Sequence, residues 1–376
     1  MQFGGGADIS DGITRAPLGE PDLTEALVVV DDLRTTFSTA RGRLRAVDGV
    51  SFDLQRGQTI GIVGESGSGK SVLVRSIMGL LPTTATVTGS VRFQGRDTRT
   101  MGRRDAKHFW GREIAMVFQD PMTSLNPVKK IGTALTESIR FHLGLNKADA
   151  RGRAIDLLTQ VGIPAPARRL DEYPHQLSGG MRQRVTIAIA IACWPKLLIA
   201  DEPTTALDVT VQKQILDLLA SLLADYEMSM VLITHDLGVV AGRADHVAVM
   251  YAGRIVESAP TRTLFAQPRH PYTEALLNSI PNLEAPSHTR LTAISGRPPD
   301  MVAPPVGCRF APRCRYAQAR CLVEDPELMP AGTQEHTHAC FYPVGTSAGE
   351  EALARNQADG RTAAGLDISV AAMSAP

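Results

Sequence analysis

One glycine-rich octapeptide constrains the fold of this chain more than any other segment. Residues 64–71 read GESGSGKS; they follow the apolar run 59–63 and lead into residues 71–81, where apolar side chains recur at helical spacing before Pro82. A strand, a glycine-rich turn and a helix in this order are typical of a phosphate-binding loop in an α/β fold. A flexible glycine–serine linker is the alternative, but a linker has no reason to carry Lys-Ser between a strand and an apolar helix.

This loop predicts binding of ATP. Its glycines let several backbone N–H groups face one anion, and the start of the helix adds partial positive charge. Lys70 would reach the terminal phosphates, and the Ser71 hydroxyl would bind Mg²⁺. The predicted ATP-binding residues of the loop are Gly64, Ser66, Gly67, Ser68, Gly69, Lys70 and Ser71.

Two carboxylates end a second apolar run, residues 196–202. Asp201 is placed where an acid can hold Mg²⁺ through water, and Glu202 is placed to polarise an attacking water. A pair of solvated acids at the end of a strand is the alternative. The segment PTTALD at residues 203–208 follows at once, which favours the catalytic interpretation.

A second glycine-rich motif adds to this set. Residues 177–183 read LSGGMRQ and precede the helical run 181–194, so they supply a second helix start that can bind an anion. With the phosphate loop and the paired carboxylates, this motif resembles ATP-binding-cassette (ABC) ATPases over residues 23–285. The resemblance implies an α/β P-loop NTPase fold, a RecA-like core with an antiparallel β subdomain and a helical subdomain at about residues 120–177.

Three further positions match motifs of this family in the expected order: Gln119 the Q-loop, Asp208 the D-loop and His235 the switch histidine. The resemblance implies that Glu202 acts as general base or orients the water, and that His235 contacts the γ-phosphate. It also implies that Gln119 contacts Mg²⁺ and that Asp208 crosses a dimer interface. Each ATP would lie between one phosphate loop and the signature of a partner ATPase, which in this chain is Ser178, Gly179, Gly180 and Gln183.

Two segments resemble a narrower subfamily, the oligopeptide/dipeptide importers: QDPMTSLNP at residues 119–127 and RHPYTEALL at residues 269–277. This resemblance implies an ATPase subunit that powers uptake of oligopeptides or dipeptides, bound at the cytoplasmic face of the cell membrane. Its implied partners are two transmembrane permease subunits, an extracytoplasmic substrate-binding protein and a second ABC ATPase, expected to be a paralogue rather than a second copy.

The transported solute stays open, because in such importers the binding protein and the permeases select it. Nickel, glutathione and an oligosaccharide are the alternatives. A soluble ABC ATPase of translation or chromosome maintenance is less favoured, since the chain carries a single cassette and no sustained heptads between its motifs. The 39 basic and 39 acidic residues cancel, so no electrostatic feature favours binding to nucleic acid.

Two assignments rest on apolar residues. Phe37, upstream of the phosphate loop, is the candidate for stacking on the adenine base, and an ordinary core phenylalanine is the alternative. Helical spacing at residues 131–145 and 154–161 predicts helices in the helical subdomain, which the resemblance docks on the permeases. Met122 and Leu125 are candidates for lining the docking groove, with ordinary core residues as the alternative.

Four of the five cysteines lie close together in the sequence, and His336 and His338 are further candidate donors if the metal is Zn²⁺. The fifth, Cys193, is predicted to be a core residue. Disulfides are disfavoured because an ATP-consuming protein works in a reducing compartment. Zinc sites favour closely spaced C-x₂₋₄-C pairs, which this sequence lacks, whereas iron–sulfur clusters tolerate varied spacing. The importer subfamily carries a 4Fe–4S cluster in this region, and Zn²⁺ is the alternative. The predicted ligands are Cys308, Cys314, Cys321 and Cys340.

The rest of the chain divides by composition. Residues 286–344, which are rich in proline and cysteine, are predicted to form a small C-terminal domain that needs a bound metal to stabilise it. Residues 1–22 and 345–376 are predicted to be disordered tails, because they contain few large apolar groups. No apolar run reaches the roughly 18–20 residues of a transmembrane helix, and the N-terminus lacks the features of a secretory signal. We therefore expect a peripheral protein that its partners hold at the membrane.

Overall fold

The computed structural model describes residues 26–120, 124–205, 207–280 and 294–368. Its strands form two sheets. In chain order the strands are β1 (Val28–Thr39), β2 (Gly42–Leu54), β3 (Thr59–Val63), β4 (Ala85–Phe93), β5 (Arg96–Asp97), β6 (Ile114–Val117), β7 (Leu197–Asp201), β8 (Ser229–Thr234), β9 (His246–Tyr251), β10 (Arg254–Pro260), β11 (Met329–Ala331) and β12 (Thr333–His338).

The helices lie between and around these sheets. None of the helices in the described ranges combines the length and the apolar character needed to cross a membrane. In chain order they are α1 (Lys70–Ile77), α2 (Arg103–Phe109), α3 (Ile131–Leu143), α4 (Lys147–Gln160), α5 (Pro166–Arg169), α6 (Gly179–Ile191), α7 (Val209–Tyr226), α8 (Leu237–Val240), α9 (Thr261–Ala266), α10 (Pro271–Asn278), α11 (Ala319–Val323) and α12 (Ser347–Asp359), with 3₁₀ turns at Pro174–Gln176 and Ala311–Arg313.

The larger sheet carries the predicted site. Its strand order is β11-β12-β10-β9-β3-β8-β7-β6, and the five strands from β9 to β6 are parallel. Every residue of β3, β7 and β8 is buried, as expected for a parallel sheet that is covered on both faces. Because β3 is a parallel strand flanked by β9 and β8, the phosphate loop opens at the edge where ligands of such sheets bind.

The smaller sheet, β2-β1-β4-β5, is antiparallel throughout. Helix α1 contacts this sheet on one side and the larger sheet on the other. Leu73 and Ile77 of α1 share one buried cluster with Ile62 of β3 and Val47 of β2. The packing of both sheets against α1 fixes the helix that follows the phosphate loop.

A helical layer follows β6. Helices α3, α4 and α6 share an apolar core with α7. The helices predicted at residues 131–145 and 154–161 are confirmed as α3 and α4, and α4 begins earlier because the side chain of Asn146 caps its N-terminus. Leu125 is buried in this core, as its alternative assignment expected, whereas Met122 lies outside the described residues.

Residues 294–368 pack onto the larger sheet. Strand β12 pairs with β10, so β11 and β12 extend the sheet that holds the phosphate loop. The ring of Phe310 lies 5.2 Å from that of Tyr251 and 5.3 Å from that of Tyr272, measured between ring centroids. The region predicted as a C-terminal domain at residues 286–344 therefore shares its apolar core with the strands of the cassette.

The prediction of a disordered tail at residues 345–376 is wrong for its first part. Helix α12 occupies most of it, with the side chain of Thr346 as its N-cap and Gly360 as its C-cap. Ala352 is fully buried, and Asn356 hydrogen-bonds to the neighbouring segment. Small side chains pack closely here, so the lack of large apolar residues misled the prediction. The tail predicted at residues 1–22 lies outside the described residues.

Candidate active site

The phosphate loop connects β3 to α1, and two of its glycines are required by close backbone contacts. A Cβ at Gly64 would collide with the carbonyl oxygen of Met250 on β9. A Cβ at Gly69 would collide with the carbonyl oxygen of Ala46 on β2, and Gly69 has a φ of 104°, in the left-handed region. Only glycine fits at these two positions, so strands on both sides of the loop fix its course.

Lys70 fills the loop from within. Its Nζ donates hydrogen bonds to the carbonyl oxygens of Gly64 at 2.7 Å and Glu65 at 3.0 Å. Burial lowers the pKa of Lys70, and the carboxylates of Glu202, Asp201 and Glu65 oppose this shift. A phosphate group bound in the loop would give the buried ammonium group a further negative partner.

Ser71 and Asp201 form the pair that sequence analysis assigns to Mg²⁺. The Ser71 hydroxyl donates to Asp201 Oδ1 at 2.9 Å. Asp201 is fully buried, its burial raises its pKa, and its Oδ2 has no hydrogen-bond partner among the described residues. A buried carboxylate with an unpartnered oxygen, next to a hydroxyl, fits a small divalent cation, which prefers oxygen ligands.

Glu202 gathers the other predicted catalytic residues around one oxygen atom. Gln119 Nε2 donates to Glu202 Oε2 at 2.9 Å, and His235 Nδ1 lies 3.3 Å from the same oxygen. The Thr205 hydroxyl also donates to it, at 2.8 Å. Sequence analysis missed Thr205, although its place three residues after Glu202 was a signal. The structure therefore brings Glu202, Gln119 and His235 together, as the motif order predicts.

The signature forms a second surface together with the D-loop. Ser178 caps α6, and its hydroxyl accepts a hydrogen bond from the first turn of that helix. A Cβ at Gly180 would lie 2.9 Å from Val211, whose N–H donates to Asp208. Gln183 is buried, and neither of its amide atoms has a partner in the described ranges. No hydrogen bond between described residues joins this surface to the phosphate loop.

Comparison with known proteins identifies the family. A model of the ABC transporter family matches residues 47–205, and a model of the oligopeptide/dipeptide transporter C-terminal region matches residues 256–321. The dipeptide transport ATP-binding protein DppD of Escherichia coli (strain K12) is 50% identical over 322 residues, which are 85% of this chain and 97% of that protein. The chain belongs to the ATP-binding subunits of oligopeptide/dipeptide ABC transporters.

Further relatives of this ABC ATPase agree. The oligopeptide transport ATP-binding protein OppD of Salmonella typhimurium is 47% identical over 336 residues, 89% of this chain and 98% of that protein. Among solved structures, the dimeric cassette MJ0796 bound to ADP and Pi matches with a TM-score of 0.56 at 27% identity, over 62% of this chain and 99% of that one. The cassette cbiO1 from Clostridium perfringens matches with a TM-score of 0.54 at 28% identity, over 64% and 91%. The predicted cassette fold and ATPase activity are confirmed.

The adenine contact of this ABC ATPase stays a prediction. Phe37 lies on β1 and is half-buried, opposite Leu44 on β2 and Ala85 on β4. Strand β2 also carries Ala46, whose carbonyl group borders the phosphate loop at Gly69. Phe37 is therefore on a strand next to the one that touches the loop, which is compatible with both of its assignments.

The four clustered cysteines of this ABC ATPase surround one pocket. Each is a free thiol whose pKa is raised by burial, to about 11 for Cys308. Among the residues that the structure describes, no three His, Cys, Asp or Glu side chains are grouped so that they could hold one metal ion. The thiols that line the pocket are those of Cys308, Cys314, Cys321 and Cys340.

The other predicted donors near these cysteines have different surroundings. His336 Nε2 lies 2.8 Å from Glu257 Oε1, and both side chains are buried. Glu257 also accepts hydrogen bonds from the N–H groups of Arg269 and His270. Cys193 is buried in the core of the helical layer, as predicted. His336 is therefore held by a carboxylate outside the set of four thiols.

Proposed function

We propose that this ATPase subunit powers the import of oligopeptides or dipeptides across the cytoplasmic membrane. The observation that carries the proposal is the match to DppD, which extends over 97% of that dipeptide transport protein and includes the region after the cassette. Nickel, glutathione or an oligosaccharide as the solute is the second possibility, because this chain carries no residue assigned to contact the solute.

The active-site geometry supports a division of roles among the assigned residues. The N–H groups of the phosphate loop and Lys70 bind the phosphates. Ser71, Asp201 and Gln119 would hold Mg²⁺, which when bound neutralises charge on the phosphates. Glu202 orients or deprotonates the attacking water, and Thr205 keeps its carboxylate in place.

Two contacts are expected to change when nucleotide binds. Gln119 and His235 both lie against Glu202 in the described structure. For their assigned roles, Gln119 would turn toward the cation and His235 toward the γ-phosphate. Glu202 Oε2 would then keep only its hydrogen bond from Thr205 and could accept another from water. Positioning and charge stabilisation then suffice for phosphoryl transfer, without a covalent intermediate.

A second ATPase completes each site in this proposal. In this proposal the signature of one chain serves the nucleotide bound in the phosphate loop of its partner. Asp208 would lie at the interface between the two ATPases. The partner is a paralogous chain, in keeping with the assembly that the resemblance implies. The signature residues that act on the partner's ATP are Ser178, Gly179, Gly180 and Gln183.

The Q-loop region is the proposed docking surface for the permeases. Phe118 and Val128 flank the Q-loop segment, and 38% and 79% of their surfaces are exposed. Exposed large apolar side chains on either side of the residue that contacts Mg²⁺ suit a permease helix that transmits movement to the site. In this proposal the chain lies at the cytoplasmic face of the membrane, bound to two permeases that receive solute from an extracytoplasmic binding protein.

We infer that the four clustered thiols hold a 4Fe–4S cluster. Each thiolate of such a cluster binds a different iron atom, so its sulfur atoms are spread more widely than four ligands of one ion. The observation behind this proposal is that all four thiols line the same pocket. Iron would give each buried sulfur a partner, and the bound cluster would stabilise the C-terminal region by linking its four cysteines. Zn²⁺ is the alternative.

The importer assignment is tested by purifying the tagged chain from gently solubilised membranes of its native host. Two permeases and a second ABC ATPase are expected to co-purify. In vesicles with the cognate binding protein, this complex should take up peptides only when ATP is present. A complex carrying Glu202→Gln should take up no peptide even with ATP. Co-purification of ribosomal or DNA-repair proteins without a permease would contradict the proposal. Uptake of nickel, glutathione or an oligosaccharide instead of peptides would leave the importer role standing and change only the assigned solute.

A further inference from the structure

Glu65, the second residue of the phosphate loop, is held by a residue of the C-terminal region. Arg313 donates from one guanidinium nitrogen to Glu65 Oε2 at 2.6 Å and from the other to Oε1 at 2.9 Å. The arginine side chain is 3% exposed and the glutamate side chain 28% exposed, so water screens the pair on one side only. Bidentate pairs of this kind are among the stronger polar contacts in proteins.

Arg313 is itself fixed in place. Its Nε donates to the carbonyl oxygen of Ser295 at 2.8 Å, and its Nη2 donates to the carbonyl oxygen of Ile294 at 3.3 Å. Its Nη1 donates to the Tyr251 hydroxyl at 3.4 Å. Because the planar guanidinium group is anchored at all three nitrogens, a shift of the phosphate loop would break its pair with Glu65.

A second contact from outside the loop holds the backbone of the same residue. The hydroxyl of Tyr272, which is fully buried on α10, accepts a hydrogen bond from the Glu65 N–H at 2.8 Å. On the other side of Glu65, its carbonyl oxygen accepts a hydrogen bond from Lys70 at 3.0 Å. The orientation of Glu65 therefore bears directly on the lysine that reaches the phosphates.

We propose that Arg313 is a positioning residue for ATP binding. Through Glu65 it holds the phosphate loop in the shape that accepts the phosphates, without touching the nucleotide. A loop that is fixed before binding loses less conformational freedom when its ligand arrives, so the affinity is higher. The C-terminal region thus contributes to a nucleotide site whose loop residue is 248 positions away in the sequence.

The test combines ATP binding to the purified full chain with steady-state ATPase kinetics of the assembled transporter. Arg313→Ala is expected to raise the Kd and the KM for ATP about tenfold, while kcat changes less than about twofold. Arg313→Lys should recover part of the affinity for ATP, because lysine keeps the positive charge but cannot form the bidentate hydrogen bonds to Glu65. Arg297→Ala, which alters an exposed arginine of the same region, is the matched control and should bind ATP like the parent chain.

Glu65→Gln provides a second variant that leaves the buried C-terminal contacts of Arg313 intact, in case Arg313→Ala disturbs folding. It should weaken ATP binding to a similar degree. The double variant of Arg313→Ala and Glu65→Gln should be no weaker than the worse single variant, because both remove the same pair. Parent-like affinity in Glu65→Gln, or additive losses in the double variant, would overturn the proposal, and so would a loss of kcat at unchanged KM.

Discussion

Glu202 Oε2 is shared by three side chains, and the geometry of this residue explains how they meet. Its φ of 46° lies in the left-handed region, which is rare for a residue with a side chain and is found preferentially at active sites. Its N–H donates to the carbonyl oxygen of Ile233 on β8, so the residue crosses from the end of β7 toward the neighbouring strand. The carboxylate therefore faces both Gln119 and His235.

Replacing Glu202 by glutamine should trap ATP. The amide keeps the size of the side chain but loses the charge that polarises water, so we expect turnover to fall by about a hundredfold or more while ATP binding stays intact. Turnover is measured by phosphate release and binding by equilibrium titration. Glu227→Gln, at an exposed residue after α7, is the control with parent-like turnover. Normal hydrolysis in Glu202→Gln would refute the assigned role.

The sequence predicts those site residues that lie at the end of a strand or soon after it. Lys70, Asp201, Glu202, Gln119 and His235 all come shortly after apolar runs, and parallel strands bring their carboxyl ends to one edge. Glu65 also follows a strand, but its pairing with Arg313 has no sequence signal, because the two residues are 248 positions apart. Long-range pairs of this kind follow from tertiary packing rather than from any local pattern.

At the scale of elements, α12 shows where composition alone fails. Its sequence is rich in alanine and charged residues, and its low content of large apolar residues predicts disorder. Its stability comes instead from end caps and from a buried polar contact. Asn356 Nδ2 donates to the carbonyl oxygens of Arg315 at 2.8 Å and Ala317 at 3.1 Å, and Asn356 Oδ1 accepts from Gln318 at 2.7 Å.

Asn356→Ala should therefore destabilise the C-terminal region. The substitution leaves the Gln318 amide and the carbonyl groups of Arg315 and Ala317 with fewer partners, at a cost of about 1–3 kcal/mol in the free energy of unfolding. Urea unfolding of the full chain, with hydrogen exchange across residues 347–359, measures the effect. Gln357→Ala changes the exposed neighbour on the same helix and should leave both measurements unchanged. Equal stability of the two variants would show that the Asn356 contacts contribute little.

At the scale of the whole molecule, the cassette and the C-terminal region form one continuous structure. Strands β11 and β12 extend the main sheet, and Arg309 binds Asp48 of the smaller sheet as well as the carbonyl oxygen of Ala252. The four thiols line a pocket that also contacts Phe310 of this joint core. A metal centre bound by these thiols would stabilise the same C-terminal region that supplies Arg313 to the phosphate loop.

The identity of the metal centre bound by the four thiols can be tested chemically. Full-length protein purified without oxygen is expected to be brown, with about four iron and four sulfide ions per chain. Cys314→Ala should lose most of the iron, since it removes one of four ligands, whereas Cys193→Ala should keep it, because Cys193 lies in the helical core beside Ser138. Iron, sulfide and zinc are measured together with the visible absorption spectrum. A colourless protein that binds one Zn²⁺ per chain would exclude the iron–sulfur cluster and leave the four thiols as a zinc site.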